Sequence, residues 1–445
     1  MDTLDSSRLH LFSLDGAHLV AGFKGGLYQI DDNTFRFLEG QPAQSEADDG
    51  AISTELASID RMEGTEEYRP PASHRSLRAI CLNVTSGCNL KCLYCFARAD
   101  EGSTGSFHMK SDTALKALHH LFSHSSPEAV LQVDFFGGEP LLNFDVIKYT
   151  VGRAREMAAE RRQAIKFTAT TNGTLFTDEI TEFLNREDFS VIISLDGPPE
   201  IHNRQRPFHD GSPSLEKALS GTREFLESRG YNNYYIRGTF TPENLSLTEI
   251  ARYFISQGFH NFSLEPARGK KGAPWAVNEE HLSELEREYE ELARCVLSFW
   301  KKGLSCNFFH FNIFSDSPLC VTRRLNGCGA GVEYLSVTPE GDIFPCHQLH
   351  SSGEFRLGSV DDEALAVRDT FLNTHIYRKK GCSLCWARYY CSGGCHAHAL
   401  RDSGEILVPD PIGCQLQKKR LECALWIESH KRNEKPSVFE SVAAV

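Results

Sequence analysis

From residue 80 to about 268 the chain alternates short apolar runs with longer stretches of 3.6-residue periodicity. The apolar runs, at 80–84, 131–136, 166–171, 191–195, 234–241 and 261–266, read as strands. Helical windows lie between them at 111–124, 144–160, 177–186, 214–229 and 246–257. Strands separated by helix-length segments cannot pair as hairpins. The pattern therefore predicts an α/β fold, with six parallel strands joined by right-handed helical crossovers. An amphipathic helix rich in Glu and Leu follows at 278–302, its charges read as a solvated face.

The N-terminal region is patterned differently. Period-2 runs at 9–14, 18–21 and 27–30 predict short strands, with turns at Asp15-Gly16 and Lys24-Gly25-Gly26. Asp31-Asp32-Asn33 can cap a short helix carrying Phe35, Phe37 and Leu38. Residues 40–74, acidic and ending in Pro70-Pro71, read as a partly flexible linker. A chain of 445 residues exceeds one ordinary core. The expected division is a small α+β domain with its linker at 1–74, a barrel at 75–305 and a third domain at 306–445.

Composition narrows the class. With 47 basic and 60 acidic residues the formal charge is -13, which argues against a nucleic-acid partner. No apolar run reaches the length of a membrane span, and Met1-Asp2-Thr3-Leu4-Asp5 lacks the order of a signal peptide. A globular, cytoplasmic protein with no membrane partner is expected. The fifteen cysteines are odd in number and clustered, so they read as metal ligands rather than disulfides.

The first cluster, Cys88, Cys92 and Cys95 at C-x3-C-x2-C, follows the first barrel strand and the break at Ser86-Gly87. Three thiolates are one fewer than a four-coordinate zinc or a cubane iron-sulfur cluster takes, so one metal position stays open for chemistry. Zinc is the alternative, although structural zinc usually fills all four positions from spaced pairs. Other strand ends add Gly137-Gly138-Glu139-Pro140, Thr170-Thr171-Asn172-Gly173 and Ser194-Leu195-Asp196-Gly197, with His202-Asn203-Arg204-Gln205-Arg206 beyond. Asn172-Gly173 and Asp196-Gly197 are each ordinary turn pairs. Their shared place at strand C-termini, where barrel sites collect, assigns them to a site. Glu265, late in a buried strand, needs a polar destination and is expected to face the barrel mouth.

This set resembles the radical S-adenosylmethionine (SAM) enzymes, whose cluster loop carries an aromatic before the last cysteine, here Tyr94. The resemblance implies a partial (β/α)6 barrel, with a 4Fe-4S cluster on Cys88, Cys92 and Cys95 and SAM on its open iron. Gly137, Gly138, Glu139 and Pro140 would hold the SAM amino group, the Glu139 carboxylate matching an ammonium. Asn172, Ser194, Asp196 and Arg206 would lie near the ribose and the methionine carboxylate. Ser194 is preferred to Asp196. Arg206 is preferred to Arg204 because it occupies the arginine of the family's His-Asp-x-x-Arg pattern, in which Asn203 replaces the aspartate. One electron, from a flavodoxin- or ferredoxin-type donor, would cleave SAM to methionine and a 5'-deoxyadenosyl radical that abstracts hydrogen from the substrate.

Cysteines crowd the C-terminal part: Cys320, Cys328, Cys346, Cys382, Cys385, Cys391, Cys395, Cys414 and Cys423. Seven of them, with Gly341, resemble the SPASM extension of radical SAM enzymes. By that resemblance Cys328, Cys346 and Cys395 hold one auxiliary 4Fe-4S cluster, and Cys382, Cys385, Cys391 and Cys414 another, giving three clusters in all. Cys320 either completes the first auxiliary site or leaves an iron open to a substrate thiolate. A zinc ribbon is the alternative for the run of four. His396 and His398 read as bystanders, and Cys81, Cys295, Cys306 and Cys423 as inert buried thiols.

The N-terminal strands resemble, faintly, the winged-helix-like domains that take up a leader peptide as an added strand; a packing extension of the barrel fits the pattern equally. SPASM enzymes mostly modify peptides, and the stretches around Tyr334, Cys346 and Cys385 resemble maturases that form thioether links in six-cysteine peptides and in the quinohemoprotein amine dehydrogenase small subunit. An oxidoreductase acting on a ribosomally made, leader-bearing peptide is expected. Rivals are an anaerobic sulfatase-maturating enzyme, carbon-carbon cross-linking, and a non-catalytic iron-sulfur protein. Sulfatase maturases carry an aspartate base directly after the cysteine corresponding to Cys346, where this chain has His347. His347 and Glu265 are the candidate catalytic side chains.

Overall fold

The computed structural model describes residues 9–22, 26–42, 46–63, 76–98, 107–269, 272–313, 325–350, 353–362 and 368–434. Cys320, Lys24-Gly25 and Pro70-Pro71 lie outside the described residues.

The chain begins with an antiparallel sheet of β1 (Leu9–Leu14), β2 (Ala17–Gly22) and β3 (Leu27–Ile30), in that order. Asp15 and Gly16, at φ of 50° and 76°, make the two-residue turn whose left-handed backbone matches strand twist. Helix α1 (Asp32–Leu38) is capped by Asp31, whose carboxylate accepts from Thr34 N at 2.7 Å. The expected linker is corrected in part: Glu46–Glu63 forms an 18-residue helix, α2. Its Ile52 and Ile59, two turns apart on one face, are buried, and Ile59 joins Val20, Ile30 and Phe35 in a small core. So narrow a stripe in an acidic segment gives little periodic signal.

The barrel strands are β4 (Ala79–Thr85), β5 (Leu131–Gly137), β6 (Ile165–Thr171), β7 (Ser190–Ser194), β8 (Tyr234–Phe240) and β9 (Asn261–Pro266), each parallel to the next. Their crossovers are α3 (Ser111–Ser123), α4 (Phe144–Arg161), α5 (Asp178–Arg186), α6 (Pro199–Gln205) with α7 (Leu215–Ser228), and α8 (Leu247–Ser256). All six expected strands are present, in an open sheet, as a partial barrel requires. Helix α9 (Leu282–Lys301) follows.

The sheet does not stop at the six strands. β10 (Asn307–Phe308) extends it beside β9, and β11 (Tyr334–Val337) pairs in parallel with β4. Antiparallel β12 (Asp342–Phe344) and β13 (Gly358–Ser359) then complete ten strands. The cysteine-rich region is thus hydrogen-bonded to the strand that leads into Cys88. The C-terminal helix, Pro411–Glu434, packs on α9, and its Trp426 indole donates to Leu14 O at 3.0 Å, tying the N-terminal sheet down. No described helix is long and apolar enough to cross a membrane.

Parallel strands buried on both faces are normally apolar throughout. Here β5 alternates buried Leu131, Val133 and Phe135 with half-buried Gln132, Asp134 and Phe136, and β6 and β8 alternate likewise. One face of the sheet is core; the other is a polar, partly open interior.

Candidate active site

The loop bearing Cys88, Cys92 and Cys95 is held from two sides. On one side, Gly138 N donates to Thr85 O at 2.8 Å and Glu139 N to Gly87 O at 2.9 Å. The backbones approach so closely that a Cβ on Gly138 would stand 2.2 Å from Gly87 O, and one on Gly137, at φ 144°, 2.2 Å from Thr85 O. On the other side, Lys91 N donates to Pro207 O at 2.7 Å and Leu93 N to Gln205 O at 2.9 Å. Both glycines are therefore needed for the packing of one loop on another.

Glu139 is held from within the protein. Its carboxylate is 1% exposed and accepts from Leu141 N at 3.1 Å, Thr171 Oγ1 at 2.8 Å and Asn172 N at 2.7 Å. Burial pushes its pKa up to about 7 despite these donors. With three of its roughly four acceptor positions filled from within the protein, it acts as a clamp between the Gly-Gly turn and the end of β6. Asn172 continues the clamp to the metal loop, donating to Asn89 Oδ1 at 2.8 Å and toward Cys88 Sγ at 3.9 Å.

Three other predicted residues form one unit. Asp196, fully buried, accepts from the Tyr94 hydroxyl and from Thr239 N at 2.9 Å, and pairs with Arg206 Nε at 2.9 Å. The Arg206 guanidinium also lies over the Tyr94 ring, 5.5 Å from its centre, and reaches toward Cys92 Sγ at 3.9 Å. Burial pushes the Cys92 thiol up to about 12 against the pull of Arg206, so binding as a thiolate needs a metal to displace the proton. Ser194, half-buried, ends β7 in register with Arg237 of β8. Arg204 points elsewhere, pairing with Glu243 at the exposed surface. Arg204→Ala should leave stability within about 0.5 kcal/mol, whereas Arg206→Ala strands a buried carboxylate and should cost about 3–5 kcal/mol. Urea unfolding of the two variants checks this contrast.

Seven of the C-terminal cysteines fall into two groups. Cys328 and Cys395 are near enough to Cys346 to act on its thiol electrostatically. Cys382, Cys385, Cys391 and Cys414 line one small pocket, with Lys418 and Gln417 beside them. Burial pushes Cys382 up to about 11 and Cys414 up to about 12, and raises Cys346, Cys391 and Cys395 as well. None of the described cysteines is in a disulfide. Among the described residues no group of three or more His, Cys, Asp or Glu is arranged for a single metal ion. Thiolates that each bind a different iron of a cluster stand farther apart than ligands sharing one ion.

His347 stands where these regions meet. Its ring centre is 4.6 Å from that of Phe136, which precedes the Gly-Gly turn, and 5.7 Å from that of Phe96, which follows Cys95. Its Nδ1 is 3.3 Å from the Tyr334 hydroxyl, and burial pushes the imidazole down to about 3, so it is neutral. Glu265 has another duty: His310 Nε2 lies 2.8 Å and Arg420 3.7 Å from its carboxylate. Burial pushes its pKa up, but His310, Arg420 and Arg237 outweigh this and hold it well below the usual range. So firmly ionised a carboxylate is a weak base, and the polar destination of Glu265 is His310 and Arg420.

Arg237 is the residue that sequence reasoning missed. It is exposed on the polar face of β8, and its charge acts on His347, Glu265, His310 and His398. The signal was present, as a cation within an otherwise strand-like run.

Residues 82–253 match the Radical SAM superfamily model. An uncharacterized protein of Methanocaldococcus jannaschii is 31% identical over 289 residues, covering 64% of this chain and 90% of that protein. The chain belongs to the radical SAM superfamily. Radical SAM relatives include the radical SAM cyclopropyl synthase TigE of Paramaledivibacter caminithermalis, 25% identical over 77% of this chain and 72% of TigE. A cysteine-type anaerobic sulfatase-maturating enzyme of Clostridium perfringens is 24% identical over 72% of this chain and 89% of that enzyme. Among solved structures, anSMEcpe with bound AdoMet aligns with TM-score 0.68 at 20% identity, over 82% of this chain and 97% of that one. Streptococcus suis SuiB bound to precursor peptide SuiA aligns with TM-score 0.55 at 14% identity, over 93% and 100%. As a radical SAM enzyme the protein uses SAM and a 4Fe-4S cluster. The donor set fits that cluster, since Cys88, Cys92 and Cys95 offer three sulfurs on one loop and Asn172 and Arg206 direct N–H groups at two of them.

Proposed function

We propose that this radical SAM enzyme is a SPASM-type peptide maturase that joins a cysteine sulfur to a carbon of another residue in a ribosomally made peptide. The observation that carries the reading is the grouping of the C-terminal cysteines. Cys328, Cys346 and Cys395 would hold one auxiliary 4Fe-4S cluster, and the pocket of Cys382, Cys385, Cys391 and Cys414 a second. Cys88, Cys92 and Cys95 would hold the first 4Fe-4S cluster, which would supply the electron for reductive cleavage of SAM.

The protein's own residues do the rest. The Gly137-Gly138 turn and the Tyr94-Asp196-Arg206 unit fix the loop, and Ser194 and Arg206 would meet the methionine end of SAM. Phe96, Phe136 and the neutral His347 pack together between that loop and Cys346, the side from which a substrate thiol would approach. Arg237 offers a cation on the open face of the interior, suited to a peptide carboxylate. The N-terminal sheet would receive the leader at a strand edge. Its β1 is turned toward the cysteine region, His10 stacking on Trp386 with centres 4.0 Å apart.

Formylglycine formation is the second reading, favoured by the sulfatase-maturating relatives. Against it, His347 stands where those enzymes have their aspartate. The relation to TigE keeps carbon-carbon bond formation in view. All three readings require hydrogen abstraction from a peptide. With a uniformly deuterated precursor peptide, 5'-deoxyadenosine should acquire deuterium; its absence during turnover would sink the reading.

A further inference from the structure

Lys379 is a buried cation for which neither the barrel nor SAM binding has a use. Its side chain is 3% exposed, and Nζ donates to Gly393 O at 2.6 Å and to His396 Nδ1 at 3.0 Å. Gly393 leaves room for it, since a Cβ there would stand 2.9 Å from the Lys379 Cδ. Two neutral acceptors do not balance an ammonium removed from water. Burial pushes the Lys379 pKa down, and the groups that oppose this are the sulfurs of Cys382, Cys391, Cys395 and Cys328, which become anionic once they bind metal. The first two belong to the pocket of four cysteines and the last two to the group around Cys346; of the two acceptors of Nζ, Gly393 lines that pocket and His396 directly follows Cys395, so the ammonium is bonded to the backbone of one group and beside a ligand of the other. The segment that accepts its hydrogen bonds, Gly393 to His396, joins Cys391 of one group to Cys395 of the other. Other cations serve one group each: exposed Lys418 lines the pocket of four, and Arg401 acts on Cys395 and Cys346.

We propose that Lys379 is a shared counter-charge for both auxiliary clusters, raising the reduction potential of each and so setting how readily an electron from the product side is accepted. The inference rests on reading the two cysteine groups as cluster sites. Each one-electron reduction adds a negative charge to a thiolate-ligated cluster, and a fixed cation inside a low-dielectric wall stabilises the more negative state. Lys379 touches no substrate in this account; it acts through the clusters.

The test is an EPR-monitored redox titration of anaerobically reconstituted full-length protein. Lys379→Met should shift both auxiliary one-electron equilibria at least tenfold toward the oxidised state, about 59 mV, with iron content unchanged. Lys418→Met should shift only the cluster of the four-cysteine pocket, and Lys379→Arg should keep both potentials near those of the parent. If Lys379→Met loses iron, Lys379→Gln carries the same measurement, because it keeps an N–H toward Gly393 and drops the charge. Either auxiliary potential unmoved in the neutral variant overturns the proposal. A parent protein holding about four irons per chain instead of about twelve overturns the cluster reading itself, and that count is made before any potential is measured.

Discussion

Replacing Gly138 by alanine should lower reductive SAM cleavage by on the order of 100-fold, the usual penalty for misplacing a reacting group by about 1 Å. The added Cβ would meet Gly87 O at 2.2 Å. A backbone carbonyl cannot swing away as a side chain can, so the strain moves the segment that carries Cys88, one residue on. Asn172 and Arg206, which direct N–H groups at Cys88 and Cys92, would no longer be in register with the sulfurs. Gly152→Ala is the matched control: this glycine sits in α4 with nothing within 4 Å of its virtual Cβ. It should leave cleavage unchanged and stabilise the fold by about 0.5–1 kcal/mol. The readout is 5'-deoxyadenosine formed anaerobically with dithionite. A Gly138→Ala variant working within a few-fold of the parent would show that the close approach is not required.

The second large effect separates the three cysteine groups. Cys92→Ala should abolish SAM cleavage and remove about four of about twelve irons per chain. Cys391→Ala should remove a different set of about four and leave uncoupled SAM cleavage in place, because its pocket of Cys382, Cys385 and Cys414 is separate from the loop at Cys88. Iron and sulfide analysis beside the cleavage assay reads both. Loss of cleavage in Cys391→Ala with the iron of the first cluster retained would contradict the division of labour. So would full retention of iron in either variant.

What the sequence made legible was whatever is contiguous. The six strands, the C-x3-C-x2-C loop and the Gly-Gly-Glu-Pro turn each lie within a few residues, and the structure places these motifs around one loop. What it left open depends on contacts across long separations. Tyr94, Asp196 and Arg206 were separate candidates in the chain, yet their hydrogen bond and ion pair make them one unit, Tyr94 and Asp196 being 102 residues apart. The motif could place the Glu139 carboxylate near an ammonium but could not show that Leu141, Thr171 and Asn172 already occupy it. Glu265 needed a polar destination, as expected for an acid in a buried strand; the destination is His310 and Arg420. Helix α2 escaped because, among its described side chains, the buried stripe is two isoleucines. The pairing of β11 with β4 could not be read from either strand alone, although it is what brings Cys346 and His347 beside the radical-forming loop.

That juxtaposition underlies the central claim, thioether formation, and product analysis tests it most directly. A short Cys-containing peptide, sought among the reading frames beside this gene and incubated with reconstituted enzyme, SAM and reductant, would be examined by high-resolution mass spectrometry before and after thiol alkylation. The account predicts loss of two hydrogens for each link formed, with one thiol per link no longer alkylated and all sulfur retained. An aldehyde product that has lost sulfur, or loss of two hydrogens with every thiol still alkylated, would contradict it.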